Sequence, residues 1–223
     1  MIKTVEFTYN THNGNQYPLK LIYKWISSEG LVYQPEYIIE LCRIGCKNFG
    51  MAGGCPPRAP LLSSIISAPQ PVLLLGCVFE SVYKPSNILK SNNVAIHWKF
   101  QDAILSRLLN KIGHNLVAGV GGRFLATGYC LGCPGKKCAF KLGKEACRNP
   151  LRRTFSMEAT GINVVATVKQ SLELDMYWYT KENRNIPYML KCLTFIPPGK
   201  SELQLEQTLF ILEEFLENHL NKS

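Results

Sequence analysis

Seven of the nine cysteines in this 223-residue chain fall in two short segments, and that crowding constrains the fold more than any other feature. The first segment runs Cys42-x3-Cys46-x8-Cys55-Pro56-Pro57; the second runs Cys130-x2-Cys133-x4-Cys138-x8-Cys147-x2-Pro150. Seven thiolates packed so closely repel one another or oxidise unless a soft cation sits among them, and thiolate donors select zinc, copper(I) or iron–sulfur clusters. The N-terminus, Met1-Ile-Lys-Thr-Val-Glu-Phe7, lacks the apolar stretch of a secretory signal, so a cytoplasmic location and reduced thiols are expected. Metal binding or redox chemistry is then favoured over a disulfide framework. Cys77 and Cys192 lie inside apolar strand patterns, where a cysteine behaves as a small hydrophobe. Two alternatives stay open: Cys77 supplies a fourth ligand to the first group, or the two groups share one site.

The spacing also bears on which metal. A zinc ribbon ordinarily shows two Cys-x2-Cys knuckles or their Cys/His equivalent. Here only Cys130 and Cys133 form one, and no histidine lies inside either segment. Four thiolates at spacings of 2, 4 and 8 with a Cys-Pro step sit closer to a cubane [4Fe–4S] site, although they match no standard ferredoxin run. The expected metal ligands are Cys42, Cys46, Cys55, Cys130, Cys133, Cys138 and Cys147, holding one or two [4Fe–4S] clusters, with zinc as the alternative. Three thiolates leave one iron open to substrate, by analogy with catalytic zinc. His12, His97, His114 and His219 are read as ordinary surface or satisfied residues.

With 46% apolar and 18% charged residues, disorder is excluded as the main character, and no run approaches the length of a membrane span. The expected class is α/β, with α+β as a variant: a small central sheet, flanking helices and a cysteine-rich metal-binding insertion. Residues 1–223 are read as one domain with metal loops at about 42–57 and 130–150. Alternating Val5, Phe7, Tyr9 and Leu19, Leu21, Tyr23 around Asn13-Gly14 predict a hairpin. Short helices are expected over 35–42 and 61–67, and buried or apolar strands over 72–79 and 188–196. Phe100, Ile104, Leu108 and Ile112 mark a helix that Gly113 is expected to stop. Ser156 is read as the cap of another helix with Glu158 in its first turn. Leu205, Leu209, Leu212, Leu216 and Leu220 mark a C-terminal helix serving as a lid on the core, acidic on its other face. Gly119-Val-Gly121-Gly122 fails the dinucleotide-loop spacing and is read as a tight connection.

Taken together, Cys42-x3-Cys46-x3-Gly50-x4-Cys55-Pro56-Pro57, Cys130-x2-Cys133-x4-Cys138-x8-Cys147-Arg148-x-Pro150 and Ser156-Met-Glu-Ala-x-Gly161-Ile162-x-Val164 resemble the predicted metal-binding protein family known as domain of unknown function 2284. The likeness runs from about Cys42 to Val164. It implies metal binding through these cysteines and assigns no reaction. One departure is Gly53-Gly54 where the family carries an aromatic or serine before Cys-Pro-Pro, which is expected to loosen that loop.

Positive charge concentrates beside the second group. Between Lys136 and Arg153 stand seven basic residues against Glu145 alone, whereas the tail from Ser201 carries five Glu against one Lys. The basic run offsets cluster charge, steers an acidic protein or small anionic substrate, or grips nucleic-acid phosphates. The last is disfavoured without interleaved aromatics. Glu158 is the best carboxylate for proton transfer, although a first-turn acid is also favoured by the helix dipole alone. The function expected is electron transfer or reductive or sulfur-transfer chemistry with an unknown redox partner; the alternative is a zinc-stabilised module that binds nucleic acid or an acidic protein without chemistry.

Overall fold

The computed structural model describes residues 1–11 and 13–220, with the side chains of His219 and Leu220 excepted. His12, and the readings placed on the side chains of His219 and Leu220, lie outside the described residues. The class is α/β: six strands form a single mixed sheet in the order β1-β2-β3-β6-β4-β5. β1 (Lys3–Asn10) and β2 (Gln16–Ser27) make the expected hairpin, with Val5 opposite Leu21 and Phe7 opposite Leu19. β3 (Pro71–Glu80) joins β2 antiparallel, and β6 (Tyr188–Ile196) joins β3 antiparallel. Both central strands are covered on both faces, which is why 72–79 reads as an unbroken apolar run. β4 (Arg123–Ala126) and the two-residue β5 (Phe155–Ser156) extend the other edge, paired parallel to each other.

Helices cover the two faces unequally. α1 (Pro35–Gly45), α2 (Leu62–Ile65) and α3 (Ser86–Leu89) are short, and the fold turns on α4 (Val94–Val120), α5 (Val164–Leu172) and α6 (Glu202–Leu220). Odd-numbered residues of β3, Leu73, Leu75, Cys77 and Phe79, pack with Leu105, Leu108, Leu109 and Ile112 of α4 and with Leu212 and Leu216 of α6. Even-numbered Val72, Leu74 and Val78 pack with Met157, Ile162 and Val164, Val168 and Leu172 of α5. Each fully buried leucine here contributes roughly 1.5–3 kcal/mol relative to exposure. The α6 helix rests on α4 and β1 as the lid its leucine spacing predicts, with Leu212 wholly buried.

Two expectations are corrected. Gly113 does not end its helix: α4 runs on to Val120 and closes at Gly121, whose φ of 78° is the left-handed region glycine tolerates. Gly113 is there for space, since a β-carbon on it would stand 2.6 Å from the Phe124 ring packed against the helix. Ser156 lies in β5 rather than capping a helix; its hydroxyl accepts from Ala159 N–H at 3.0 Å and closes a single 3₁₀ turn, Glu158–Thr160. The helix proper starts at Val164, where the Asn163 side chain accepts from Ala166 N–H at 3.1 Å.

Candidate metal centre

The seven clustered cysteines come from the last turn of α1 and from the two irregular loops that follow α1 and β4. α1, started by Pro35 at its first turn, delivers Cys42 from its last turn and Cys46 at its C-cap. The chain then folds through successive turns to Cys55, which is buried. The second loop leaves β4, carries Cys130, Cys133, Cys138 and Cys147 through isolated turns, and returns at β5.

Cys42, Cys46 and Cys55 lie within one another's electrostatic reach. Burial, then the charge of Glu158, then Cys46 push the Cys42 thiol up to about 11. Burial, then Cys46, Cys42 and Glu158 push Cys55 up to about 12. Glu158, which follows the second group in sequence, therefore stands with the first. Packing of α1 against the Glu158–Thr160 turn puts it there. Its Oε2 is buried without a hydrogen-bond partner, and burial pushes its carboxyl up against the opposing pull of its own and Gly128 backbone N–H groups, the Ser156 hydroxyl and Lys191. A partnerless buried carboxylate oxygen is costly, and a cation or a proton relieves it.

The second group is organised differently. Cys130, Cys133, Cys138 and Cys147 all line one open cleft of about 1170 Å³ between their loop and α4. Three of the four sulfurs are already hydrogen-bonded. Cys130 Sγ accepts from Gly132 N–H at 3.3 Å and Thr154 N–H at 3.4 Å. Cys133 Sγ accepts from the Asn149 amide at 3.6 Å. Burial raises the Cys138 thiol, but N–H donors of Gly53, Phe140 and Lys141 together with the Lys141 charge outweigh it and hold the thiol below its ordinary value. Amide donors to sulfur stabilise the thiolate, which is the form that binds metal.

Gly53-Gly54 proves to be the joint between the two loops, not a slack point. A β-carbon on Gly54 would stand 2.9 Å from Cys130 Cβ, and one on Gly53 would stand 2.7 Å from the Phe140 ring. Only glycine lets the backbones approach so closely. Arg153 Nε donates to Gly53 O at 2.8 Å and its terminal nitrogen to Arg58 O at 2.7 Å, while Lys141 Nζ donates to Asn48 Oδ1 at 2.5 Å. The Arg58 and Arg153 guanidinium groups also lie 4.8 and 5.4 Å from the Phe140 ring centroid. Part of the basic run thus holds the loops together.

Cys77 and Cys192 are fully buried on opposite faces of the sheet, and desolvation drives both thiols far up. This removes Cys77 as a fourth ligand to the first group, because it packs beneath α4 in the core. Among the described residues, no three Cys, His, Asp or Glu side chains converge closely enough to hold a single metal ion. His97 is a satisfied core residue: its Nε2 donates to Ser91 O at 2.8 Å, leaving Nδ1 to accept from Lys84 Nζ at 3.0 Å. His114 and the α4 side chains Arg107, Asn110 and Lys111 line the cleft opposite the cysteines, a placement that sequence reasoning missed. Its only signal was the spacing of 107, 110, 111 and 114, one polar stripe along a helix otherwise read for its leucines.

A mixed sheet with two interlocked thiol loops defines a cysteine-rich α/β protein. The chain belongs to the predicted metal-binding protein family (DUF2284), whose model matches residues 24–193, well beyond the cysteine segments themselves. No curated protein and no solved structure matches it. No described helix is long and apolar enough to cross a membrane.

Proposed function

We propose that the chain is an iron–sulfur protein in which Cys130, Cys133, Cys138 and Cys147 hold a [4Fe–4S] cluster and Cys42, Cys46 and Cys55 hold a second. The observation that carries this reading is the second group: four cysteines line one cleft, and three of their sulfurs already accept N–H donors. A tetrahedral zinc would draw its sulfurs to about 3.8 Å from one another, given bonds of about 2.3 Å. Thiols set around a roomy cleft, not aimed at one point, suit a larger inorganic body. When bound, such clusters supply one-electron transfer, and an iron short of a protein ligand supplies an open Lewis-acid position.

The chain's own residues tune and close the two centres. Backbone donors from Gly132, Thr154, Gly53, Phe140 and Lys141 offset negative charge on the sulfurs, which raises cluster potential. Glu158, beside Cys42 and Cys55 with one oxygen unpartnered, is the group placed to hold a proton or to complete the first centre. In this reading the function is electron transfer or reductive or sulfur-transfer chemistry in the cytoplasm, with a redox protein or a small anionic substrate as partner.

The test is spectroscopic. Anaerobically prepared protein is expected to be brown and, once reduced, to give the EPR signal of a four-iron cluster. The C130S/C138S variant should lose the part of that signal belonging to the second group and keep the rest. A colourless protein, silent after reduction, overturns the reading in favour of a zinc-stabilised binding module.

A further inference from the structure

We propose that the cleft between α4 and the four-cysteine loop binds a small, multiply charged oxyanion, a phosphate ester or polycarboxylate. The site goes beyond the iron–sulfur reading and stands whichever metal the sulfurs hold. Two independent observations carry it.

The first is charge. Seven Lys and Arg side chains line the cleft, Arg107 and Lys111 from α4 and the other five from the cysteine loop, and no Asp or Glu is among the lining residues. None of the seven is ion-paired to a carboxylate among the described residues. A four-thiolate cubane carries a charge of about −2, so filling the sulfur side still leaves a surplus of about five positive charges facing the same space. Unneutralised cations on a concave wall focus a field that concentrates anions. Arg107 and Arg152 add planar donor forks suited to carboxylate and phosphate oxygens.

The second is the wall itself. The cleft holds about 1170 Å³ between α4 and the cysteine loop, room for a small anion beside the sulfurs. Asn110 lines it from α4, its amide nitrogen donating to Ser106 O at 3.4 Å. Tyr9, Ile104 and Phe215 supply the apolar part of the wall that a small-molecule site needs.

The experiment is isothermal titration of full-length, anaerobically purified protein with inorganic pyrophosphate and, separately, with citrate at constant ionic strength, with metal content measured on the same sample. One probe is expected to bind at one per chain; pyrophosphate reports the phosphate source and citrate the carboxylate source. The R107Q/K111Q variant changes two exposed α4 side chains and should bind at least tenfold more weakly with an unchanged far-ultraviolet spectrum. K90Q/K99Q, which removes the same charge from exposed positions outside the cleft lining, should bind as the parent does. No binding of either probe at millimolar concentration overturns the proposal, as does equal weakening by both variants. So does a mixed-sequence single-stranded oligonucleotide that binds more tightly than both probes and excludes them. Binding without iron would leave the pocket standing and remove the iron–sulfur reading; iron without binding would do the reverse.

Discussion

Gly54→Ala is the sharpest probe of how the two cysteine loops are joined. The added β-carbon would meet Cys130 Cβ at 2.9 Å and the Thr154 carbonyl oxygen closer still. Non-bonded carbons settle at about 3.5–4.0 Å, so one backbone must retreat by about 1 Å. Neither obstacle is the free end of a flexible side chain. The retreat is opposed by the Thr154 N–H bond to Cys130 Sγ at 3.4 Å and by Ser156 N–H donating to Gly54 O at 3.2 Å. Overpacking costs about 1–3 kcal/mol, and blockage by main chain places this case near 3. Gly45→Ala is the matched control: it sits in the last turn of α1 with open space around it, and should gain about 0.5–1 kcal/mol from helix propensity. Urea midpoints and iron retained after anaerobic desalting read both variants. G54A should lose about 3 kcal/mol and shed iron that G45A keeps. A G54A protein within about 0.5 kcal/mol of the parent, with its iron intact, would refute the claim that the glycine pair is a close-packed joint.

Three further outcomes follow from the fold. Lys191 Nζ lies 2.5 Å from Asp102 Oδ1 with both side chains nearly buried, so Asp102→Ala, which strands that charge, should cost about 3–5 kcal/mol in chemical denaturation. The double variant D102L/K191M should recover most of that loss, and a double variant no better than D102A would contradict the charge argument. Leu212→Ala, at a wholly buried position under the C-terminal lid, should cost about 2–5 kcal/mol by thermal or urea unfolding. Burial and then Glu213 push the Tyr23 hydroxyl from 10.0 up to about 12. Because the unfolded chain gives up this proton first, its stabilising effect is complete below pH 10 and is lost as pH rises towards 12. Tyr23→Phe should flatten that part of the alkaline decline in urea midpoint, and an unaltered slope would count against it.

The strands and the lid helix were legible because their cause is local. Alternation wrote the hairpin, continuous burial wrote β3 and β6, and leucines every three or four residues wrote α6. β4 and β5 were not legible, since four and two residues between glycine- and cysteine-rich loops carry no period of their own and exist through pairing with β6 and each other. Gly113 misled for a related reason: its purpose is a contact with Phe124, eleven residues on, and glycine as a stop looks the same in sequence as glycine for space. The cysteine motifs named seven residues; in the fold Cys42, Cys46 and Cys55 influence one another, the other four line one cleft, and Gly54 joins the two loops. Their surroundings required the tertiary structure. Glu158 joins the first group because α1 packs on its turn, and Arg107, Asn110 and His114 line the cleft because the four-cysteine loop folds over that stretch of α4.

The most direct measurement is iron and zinc per chain by mass spectrometry on protein purified without oxygen. Two cubane centres predict about eight irons and no stoichiometric zinc, falling to about four irons when Cys130, Cys133, Cys138 and Cys147 are all changed to serine. One or two zincs in place of iron, or iron unaltered by those four substitutions, would contradict the account.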